Sequence, residues 1–138
     1  MLFSEEWLRH YINPDLTSEE LTETLTMAGL EVEQMTTIAP PFTGVVVGKI
    51  LTCVNHENSD HLHVCTVDVG EASPLQIVCG APNAKAGIKV PCAKIGAILP
   101  GAFTIKKAKM RGVESFGMLC SARELGVSED HSGLWVLN

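Results

Sequence analysis

The sequence predicts a mainly β protein with some α-helix, in which a short helix–strand segment precedes a small closed barrel. Short apolar runs separated by Gly, Pro and Asn turns fill residues 44–138, a pattern typical of a barrel and unlike strands alternating with crossover helices. Residues 1–39 show helical periodicity instead. With 138 residues, of which 46% are hydrophobic, the chain can bury one core and an attachment but not two full domains.

Two helices are predicted before the barrel. Ser4 can cap a first helix in EEWLRHY, which the following Asn-Pro pair ends. A second, amphipathic helix begins with Thr17 and Glu20 in capping-box spacing. It ends at Gly29, which suits a position that needs positive φ.

The segment LEVE at residues 30–33 alternates apolar and acidic side chains and predicts a strand with one buried face. Such a strand needs neighbours, which residues 1–39 do not supply. We therefore expect residues 1–39 to be an incomplete module. A linker at residues 40–43, marked by Pro40-Pro41, leads to the barrel at residues 44–138.

Strands of the barrel are predicted from VVVGKILTCV, LHVCTVDVG, LQIVCG and KVPCAKIGAIL, and a last strand from GLWVLN. Pro100-Gly101 marks a turn after the fourth run. The later stretch KMRGVESFGM has no clean helical or strand period and is predicted to be a loop. CSARELG predicts a short helix, with Ser121 as its cap and Gly126 as its stop.

The five cysteines are odd in number, widely spaced and without a C-x-x-C pair. They are therefore interpreted as small, reduced core side chains rather than as disulfides or a thiolate zinc site. No window approaches the roughly 18 apolar residues of a membrane span, and the N-terminal residues lack the pattern of a secretion signal. These features predict a soluble, cytoplasmic protein.

The net charge of −6 conceals a strong segregation of charge along the chain. Residues 1–43 hold eight acidic side chains and one basic side chain, whereas residues 72–113 hold no acidic side chain. That second stretch contains seven basic residues: Lys85, Lys89, Lys94, Lys106, Lys107, Lys109 and Arg111. Clustered cations indicate a polyanion-binding face, because phosphate contact releases condensed counterions. Lysines on the solvent face of strands are the alternative interpretation.

Two candidate reaction centres are weak. His56, Asp60, His61 and His63 lie within eight residues and are metal-ligating types, but strand alternation separates them and a polar strand–turn–strand corner explains them equally. Cys120 would need a base to act as a nucleophile, and only His131 follows it. Neither a Walker loop nor a dinucleotide-binding glycine motif is present. We therefore predict no catalytic residue and no metal site, with a metal-dependent hydrolase around His56–His63 as a remote alternative.

Three blocks resemble a known family: HENSDHLHVCTVDVG, IVCGAPNAKAGIKVPCAKIGAILPG and KMRGVESFGMLCSARELG. In order and spacing they are similar to the tRNA-binding module. That module occurs as a stand-alone tRNA-binding protein, in methionyl-tRNA synthetases, and in the bacterial phenylalanyl-tRNA synthetase beta subunit. EEWLRHYINPDLTSEELTETLTMAGLEVE resembles the opening of that beta subunit, so the chain is similar to its N-terminal part.

The resemblance implies a five-stranded oligonucleotide-binding-fold barrel. It also implies an enzyme of two alpha and two beta subunits that charges tRNA with phenylalanine, using ATP and Mg²⁺. The implied partners are tRNA and the alpha subunit. In that family the aminoacylation and editing sites lie outside this stretch, so residues 1–138 alone are expected to be non-catalytic and to hold no cofactor.

The family's binding positions fall on matching residues of the three blocks. Together with the neighbouring lysines, they give this predicted RNA-binding set: Asp60, His61, Asn83, Lys85, Lys106, Lys107, Lys109, Arg111, Ser115, Met118 and Ser121. Two positions depart from the family pattern, since Glu57 stands for a Pro and His61 for a Lys. A lost fixed cation beside an added carboxylate is expected to lower tRNA affinity near neutral pH.

Three functional hypotheses follow. The first is a tRNA-binding module of the phenylalanyl-tRNA synthetase beta subunit. The second is a module that packs against other parts of the synthetase and binds little RNA, a possibility that Glu57 and the acidic net charge favour. The third is an independent structure-specific tRNA-binding protein.

Overall fold

Two short helices lie at the start of the chain, and both have the predicted caps. Helix α1 spans Glu5–Arg9, and the Ser4 hydroxyl accepts a hydrogen bond from the Trp7 N–H. Helix α2 spans Ser18–Met27, and Thr17 and Glu20 form the predicted capping box. After α2, Leu30 N–H donates to the Leu25 carbonyl over 2.9 Å, and Gly29 has a φ of 97°. This is the Schellman arrangement in which glycine is favoured, so the predicted stop is confirmed.

The predicted strand at residues 30–33 is wrong, because these residues have no regular secondary structure. A lone extended segment has no ladder of hydrogen bonds to join, as the sequence already suggested.

In this computed structural model residues 1–38 and 42–138 are described, and the chain divides into two compact units, Met1–Ile38 and Ala39–Asn138. The predicted linker at residues 40–43, with its Pro-Pro pair, lies partly outside the described residues.

Within residues 42–138 the structure contains eight β-strands. They are β1 Thr43–Asn55, β2 His63–Asp68, β3 Leu75–Cys79, β4 Lys89–Leu99, β5 Phe103–Thr104, β6 Ala108–Met110, β7 Val113–Ser115 and β8 Gly117–Leu119. The four longer strands match the four predicted runs. The stretch predicted as a loop contains β6, β7 and β8, which are too short for a periodic pattern to reveal.

The strands pair antiparallel in the order β3-β2-β1-β4-β5, and β8 also pairs with β4. The remaining seam lies between β3 and the chain around β7 and β8. There Phe116 N–H donates to the Gln76 carbonyl over 2.9 Å, and Val78 N–H donates to Ser115 Oγ over 3.0 Å. The order β1-β2-β3-β8-β4 thus returns to β1 as a nearly closed five-stranded barrel, which confirms the predicted fold.

The barrel interior contains branched aliphatic side chains and thiols. Its largest fully buried members are Ile50, Ile77, Leu125, Val67, Val90, Cys65, Cys92, Cys120 and Ser115. All five cysteines are free thiols, and four of them are buried, as predicted. Gly48 is buried where β1 crosses the core, and a Cβ there would lie 2.7 Å from Val67 Cγ1. Only glycine fits between these strands at that separation.

Two predicted elements near the end of the barrel are wrong. CSARELG forms a single turn rather than a helix, although Ser121 and Gly126 act as predicted: Glu124 N–H donates to Ser121 Oγ, and Gly126 has a φ of 68°. Start and stop signals this close leave no room for a ladder of helical hydrogen bonds. GLWVLN is not a strand, and only an isolated bridge joins Leu137 to Lys89.

Neither helix in residues 1–38 and 42–138 is long and apolar enough to span a membrane.

Candidate nucleic-acid interface

The loop between β1 and β2, residues 56–62, meets the β6–β7 hairpin, residues 108–115; we call the two together the hairpin corner. His56 joins them. Its side chain is buried, with Nδ1 accepting from the Asn58 N–H over 3.0 Å and Nε2 lying 3.0 Å from the Met110 carbonyl oxygen. An acceptor at Nδ1 leaves the proton on Nε2, which therefore donates to Met110. The imidazole thus fixes the loop against the hairpin.

The turn of the hairpin presents Arg111 at the tip. Met110 pairs with Val113, so Arg111 and Gly112 form a two-residue turn. Their φ angles of 45° and 90° are those of a type I′ turn, the kind that suits the twist of a hairpin. The Arg111 guanidinium donates to the Asn58 carbonyl over 2.9 Å, a second link between hairpin and loop.

Cations lie along the segment that leads into the hairpin and along its first strand. Lys106, Lys107 and Lys109 are all exposed on the way to Arg111. Lys107 forms an ion pair with Glu114 over 2.8 Å and lies 4.9 Å from the centre of the Phe116 ring. The hydrogen bond from Lys107 lowers the pKa of the Glu114 carboxyl. One acid therefore offsets one of four cations, and the hairpin stays positive.

The hairpin corner brings together residues that were predicted from two separate blocks. Asp60 and His61 are exposed on the β1–β2 loop, and Lys109 and Arg111 are exposed on the hairpin. The linked loop and hairpin therefore expose a carboxylate, an imidazole, an ammonium and a guanidinium. Such a mixture can bind phosphate and sugar groups of RNA.

A family model described as "Putative tRNA binding domain" matches residues 45–137, which is most of the chain. The chain belongs to the tRNA-binding domain family. The resemblance seen in the three sequence blocks is thereby confirmed.

The chain is also similar to phenylalanine–tRNA ligase beta subunits. It is 64% identical to that of Aromatoleum aromaticum, over 97% of this chain and 17% of the relative. It is 58% identical to that of Chromobacterium violaceum, over 99% of this chain and 18% of the relative. The chain thus spans less than a fifth of the length of these relatives. A solved structure, the C-terminal domain of Plasmodium vivax p43, is similar over 54% of this chain and 43% of the p43 chain. The sequence identity is 21% and the TM-score is 0.44.

In this tRNA-binding domain the residues predicted from the second block lie on the β3–β4 loop. The Asn83 amide donates to the Leu134 carbonyl over 3.0 Å and accepts from the Leu134 N–H over 2.8 Å. These two bonds hold the C-terminal segment against the loop, so the amide has a structural role in the barrel. Lys85 is exposed on the same loop, and its RNA contact stays a prediction.

Two serines predicted to contact RNA are instead buried. Ser115 is 2% exposed, and its hydroxyl accepts from Val78 N–H and donates to the Gly117 carbonyl. Ser121 is 8% exposed, and its hydroxyl donates to the Glu124 carboxylate over 2.9 Å. Both hydroxyls are thus engaged within the barrel, and an RNA contact by either serine stays a prediction. Met118 is half-buried against the core, which leaves only part of its thioether side chain accessible.

The candidate reaction centres do not assemble in the tRNA-binding domain. Both ring nitrogens of His56 are engaged, and no group of three or more His, Cys, Asp or Glu side chains in residues 1–38 and 42–138 could hold a metal ion. Cys120 is fully buried, and this burial raises the pKa of its thiol to about 12. A neutral, inaccessible thiol is a poor nucleophile.

Sequence reasoning missed the linking role of His56 and the hairpin itself. The signal for the hairpin was the Arg-Gly pair between AKM and VES. This signal is weak, because the first residue of a two-residue turn that ends in glycine is usually Asn or Asp. The role of His56 had no sequence signal, since its partner Met110 is 54 residues away.

Proposed function

We propose that this domain binds tRNA through the hairpin corner, as a module of a phenylalanine–tRNA ligase beta subunit. The observation that supports it most is the pair of links from His56 to Met110 and from Arg111 to Asn58. Residues from two separate family blocks come together at one exposed corner through these links. Family membership alone would not indicate which surface is used.

Phosphate contact is the main proposed contribution to binding. Lys106, Lys109 and Arg111 provide positive charges on exposed side chains, and Lys107 contributes less because Glu114 neutralises part of its charge. Release of counterions from RNA makes such contacts favourable at low salt and weaker at high salt. Glu57, and His61 in place of the family's Lys, lower the net charge of the hairpin corner together with the preceding Lys106 and Lys107, so we propose moderate rather than tight binding.

The wider context of this activity is also proposed. Because the relatives are named phenylalanine–tRNA ligase beta subunit, we propose that this domain belongs to a full-length ligase. The further components of that ligase are an alpha subunit, ATP and Mg²⁺, and its compartment is the cytoplasm. The described residues do not form a metal site. Binding of RNA, and no step of phenylalanine activation, is therefore proposed for this chain.

Salt-dependent tRNA binding tests the proposal. Affinity for tRNA-Phe is measured between about 50 and 200 mM salt for the natural chain and for Lys109→Ala and Arg111→Ala. Each variant should bind more weakly, and its log–log salt slope should become less negative by about one. Lys49→Ala is the matched control, because Lys49 is exposed on β1 outside the hairpin corner. Unchanged affinity and slope in both hairpin variants would show that another face binds the RNA.

A packing role inside a synthetase is the second candidate function. It is favoured by apolar side chains exposed on the outer faces of β1 and β4: Val47, Leu51, Ile95 and Ile98. A gel shift with total tRNA at low salt separates the two candidates. Absence of any shift would support packing and exclude the hairpin corner as an RNA-binding site.

A further inference from the structure

Phe103 is an aromatic side chain that no core contact explains. It lies on the short strand β5, and 58% of its surface is exposed. Its ring borders a shallow concavity of about 610 Å³. The residues that line this concavity are Ala102, Phe103, Thr104, Lys106, Lys107 and Ala108.

The backbone on both sides of Phe103 is held in place. Phe103 pairs with Leu99 of β4, a buried residue, and the next apolar residue, Ile105, is buried as well. Ile105 N–H donates to the Ala97 carbonyl, and its own carbonyl accepts from the Gly96 N–H, both over 2.8 Å. The ring is thus presented from a fixed strand, with little backbone freedom to lose when a ligand binds.

The turn before Phe103 adds a second sign that its placement is specific. Gly101 and Ala102 have φ angles of 82° and 58°. A non-glycine residue at such an angle is disfavoured and persists only where the surrounding structure imposes it. This turn directs the chain so that Phe103 borders the concavity.

The concavity is continuous with the hairpin corner. Lys106 and Lys107 line it, and Lys107 bonds to Glu114, which pairs across the hairpin with Lys109. None of the six lining residues is acidic. An apolar ring next to ammonium groups suits a ligand that has a flat, apolar part and an anionic group adjacent to that part. An unpaired nucleotide, with its base and its phosphate, has this chemistry.

We propose that Phe103 stacks on an unpaired base of the RNA bound at the hairpin corner, while Lys106 contacts an adjacent phosphate. This inference rests on the proposed tRNA binding and adds a preference for unpaired nucleotides. An apolar protein segment fits less well, because it would remove water from the ammonium group of Lys106 without providing a compensating anion. Phe103 and Trp135 are the exposed aromatic side chains of residues 42–138, and we propose stacking at Phe103, which borders the concavity.

The test compares Phe103→Ala and Lys106→Ala with the natural chain in tRNA-binding titrations across salt concentration. Phe103→Ala should weaken binding about 5- to 100-fold without changing the log–log salt slope, since stacking releases no counterions. Lys106→Ala should make the slope less negative by about one. Because Phe103 is exposed, the fold should survive, which thermal melting verifies.

Two further measurements identify the ligand as a base. Phe103→Trp should retain affinity, and tRNA should quench its fluorescence beyond the change seen with the natural chain, whose own tryptophans are Trp7 and Trp135. A fully paired RNA duplex should bind the natural chain and Phe103→Ala equally, because it offers no free base.

Three outcomes would overturn the inference alone. The first is unchanged tRNA affinity in Phe103→Ala, the second is an equal loss of affinity for tRNA and for duplex, and the third is no additional quenching in Phe103→Trp. Each of these leaves the effects of Lys109→Ala and Arg111→Ala intact. Failure of the natural chain to bind tRNA even at low salt would instead overturn the proposed function and this inference together.

Discussion

The hydroxyl of Ser115 joins the two edges of the barrel seam. It accepts from Val78 N–H over 3.0 Å and donates to the Gly117 carbonyl over 3.0 Å, at a site that is 2% exposed. A serine is suited to this position because a single small side chain can accept and donate at once.

Ser115→Ala should therefore lower the free energy of unfolding by about 1–3 kcal/mol, because the buried Val78 N–H loses its acceptor. Urea denaturation measures the change. Ser73→Ala is the control, since Ser73 is exposed, and it should shift the free energy by less than about 0.5 kcal/mol. A stable Ser115→Ala variant with impaired tRNA binding would instead support the predicted RNA contact of Ser115.

Buried thiols should make the barrel sensitive to alkaline pH. Burial raises the pKa of Cys65 and of Cys120 to about 12 and that of Cys92 to about 11, from an ordinary value of 9.0. Below pH 9 these thiols are neutral in both states and their contribution to stability is complete. Above it the unfolded thiols ionise first, so stability falls as the pH rises from 9 towards 12.

The urea midpoint should accordingly be lower at pH 10.5 than at pH 8. Cys120→Ala provides the comparison, because it removes one of the three thiols and should show a smaller loss between the two pH values, whatever its stability at pH 8. An equal loss in both proteins would mean that other groups, such as the lysines, cause the effect.

Side-chain chemistry at the site was only partly predictable from the sequence. Lys109 and Arg111 were identified from charge and family position, and both are exposed at the hairpin corner. Ser115 and Ser121 matched family positions equally well but are buried. Composition and motif position do not reveal which side of the chain faces solvent when the strands are only three residues long, as β7 is.

Among the elements, the β6–β7 hairpin shows most clearly that backbone preference and RNA binding can favour different residues at one position. Arg111 has a φ of 45°, which costs a non-glycine residue roughly 1–2 kcal/mol. Asparagine tolerates that conformation better than arginine does. The arginine therefore persists in a position that backbone preference alone would assign to another residue.

Arg111→Asn should change the free energy of unfolding by less than about 1 kcal/mol, since relief of strain is offset by loss of the exposed bond to the Asn58 carbonyl. Its tRNA affinity should nevertheless fall as in Arg111→Ala. Chemical denaturation and tRNA titration of the same preparation measure both quantities. A large loss of stability would show that Arg111 is a structural residue first.

Strand β1 depends on glycine where it crosses the core. Gly48→Ala should lower the free energy of unfolding by about 1–3 kcal/mol, because the added Cβ would lie 2.7 Å from Val67 Cγ1 and 3.0 Å from Cys92 Cβ. Gly80→Ala is a matched control, since its Cβ would meet Leu62 at an ordinary 3.5 Å. Thermal melting should rank Gly48→Ala well below both Gly80→Ala and the natural chain, and equal melting temperatures would contradict the close approach of β1 and β2.

Long strands and helix caps were predictable, whereas short elements were not. β1 and β4 are 13 and 11 residues long and carry enough apolar side chains to be recognised. The start signal at Ser121 and the stop signal at Gly126 were correct, but the residues between them form a single turn rather than a helix. The segment around Trp135 was predicted as a strand from its composition, although its placement depends on contacts with Cys120 and Lys89 that are distant in sequence.

At the scale of the whole molecule, the two units differ in how much they bury. Leu21 is the buried hydrophobic residue of the first unit, while Trp7, Tyr11, Met27 and Ile38 are all more than half exposed there. The second unit has an extended core of its own. We propose, as the sequence suggested, that the first unit belongs to a domain that further chain completes.

The chain alone should not activate phenylalanine. The resemblance to the beta subunit implies that the aminoacylation and editing sites lie outside residues 1–138, and this is the reason for the expectation. ATP–pyrophosphate exchange with phenylalanine should stay at background, with a complete phenylalanine–tRNA ligase as the positive control. ATP–pyrophosphate exchange activity that copurifies with the chain, and that is lost when a residue of the chain is substituted, would contradict this expectation.

The bonds that Asn83 and Lys89 make to Leu134 and Leu137 also set the order in which the barrel can be completed during synthesis. Residues 134–137 hold the β3–β4 loop and the start of β4, so both are synthesised before this restraint exists. Contacts across about 50 residues form late and slowly compared with local ones. The nascent barrel therefore gains this restraint only after its strands have been synthesised.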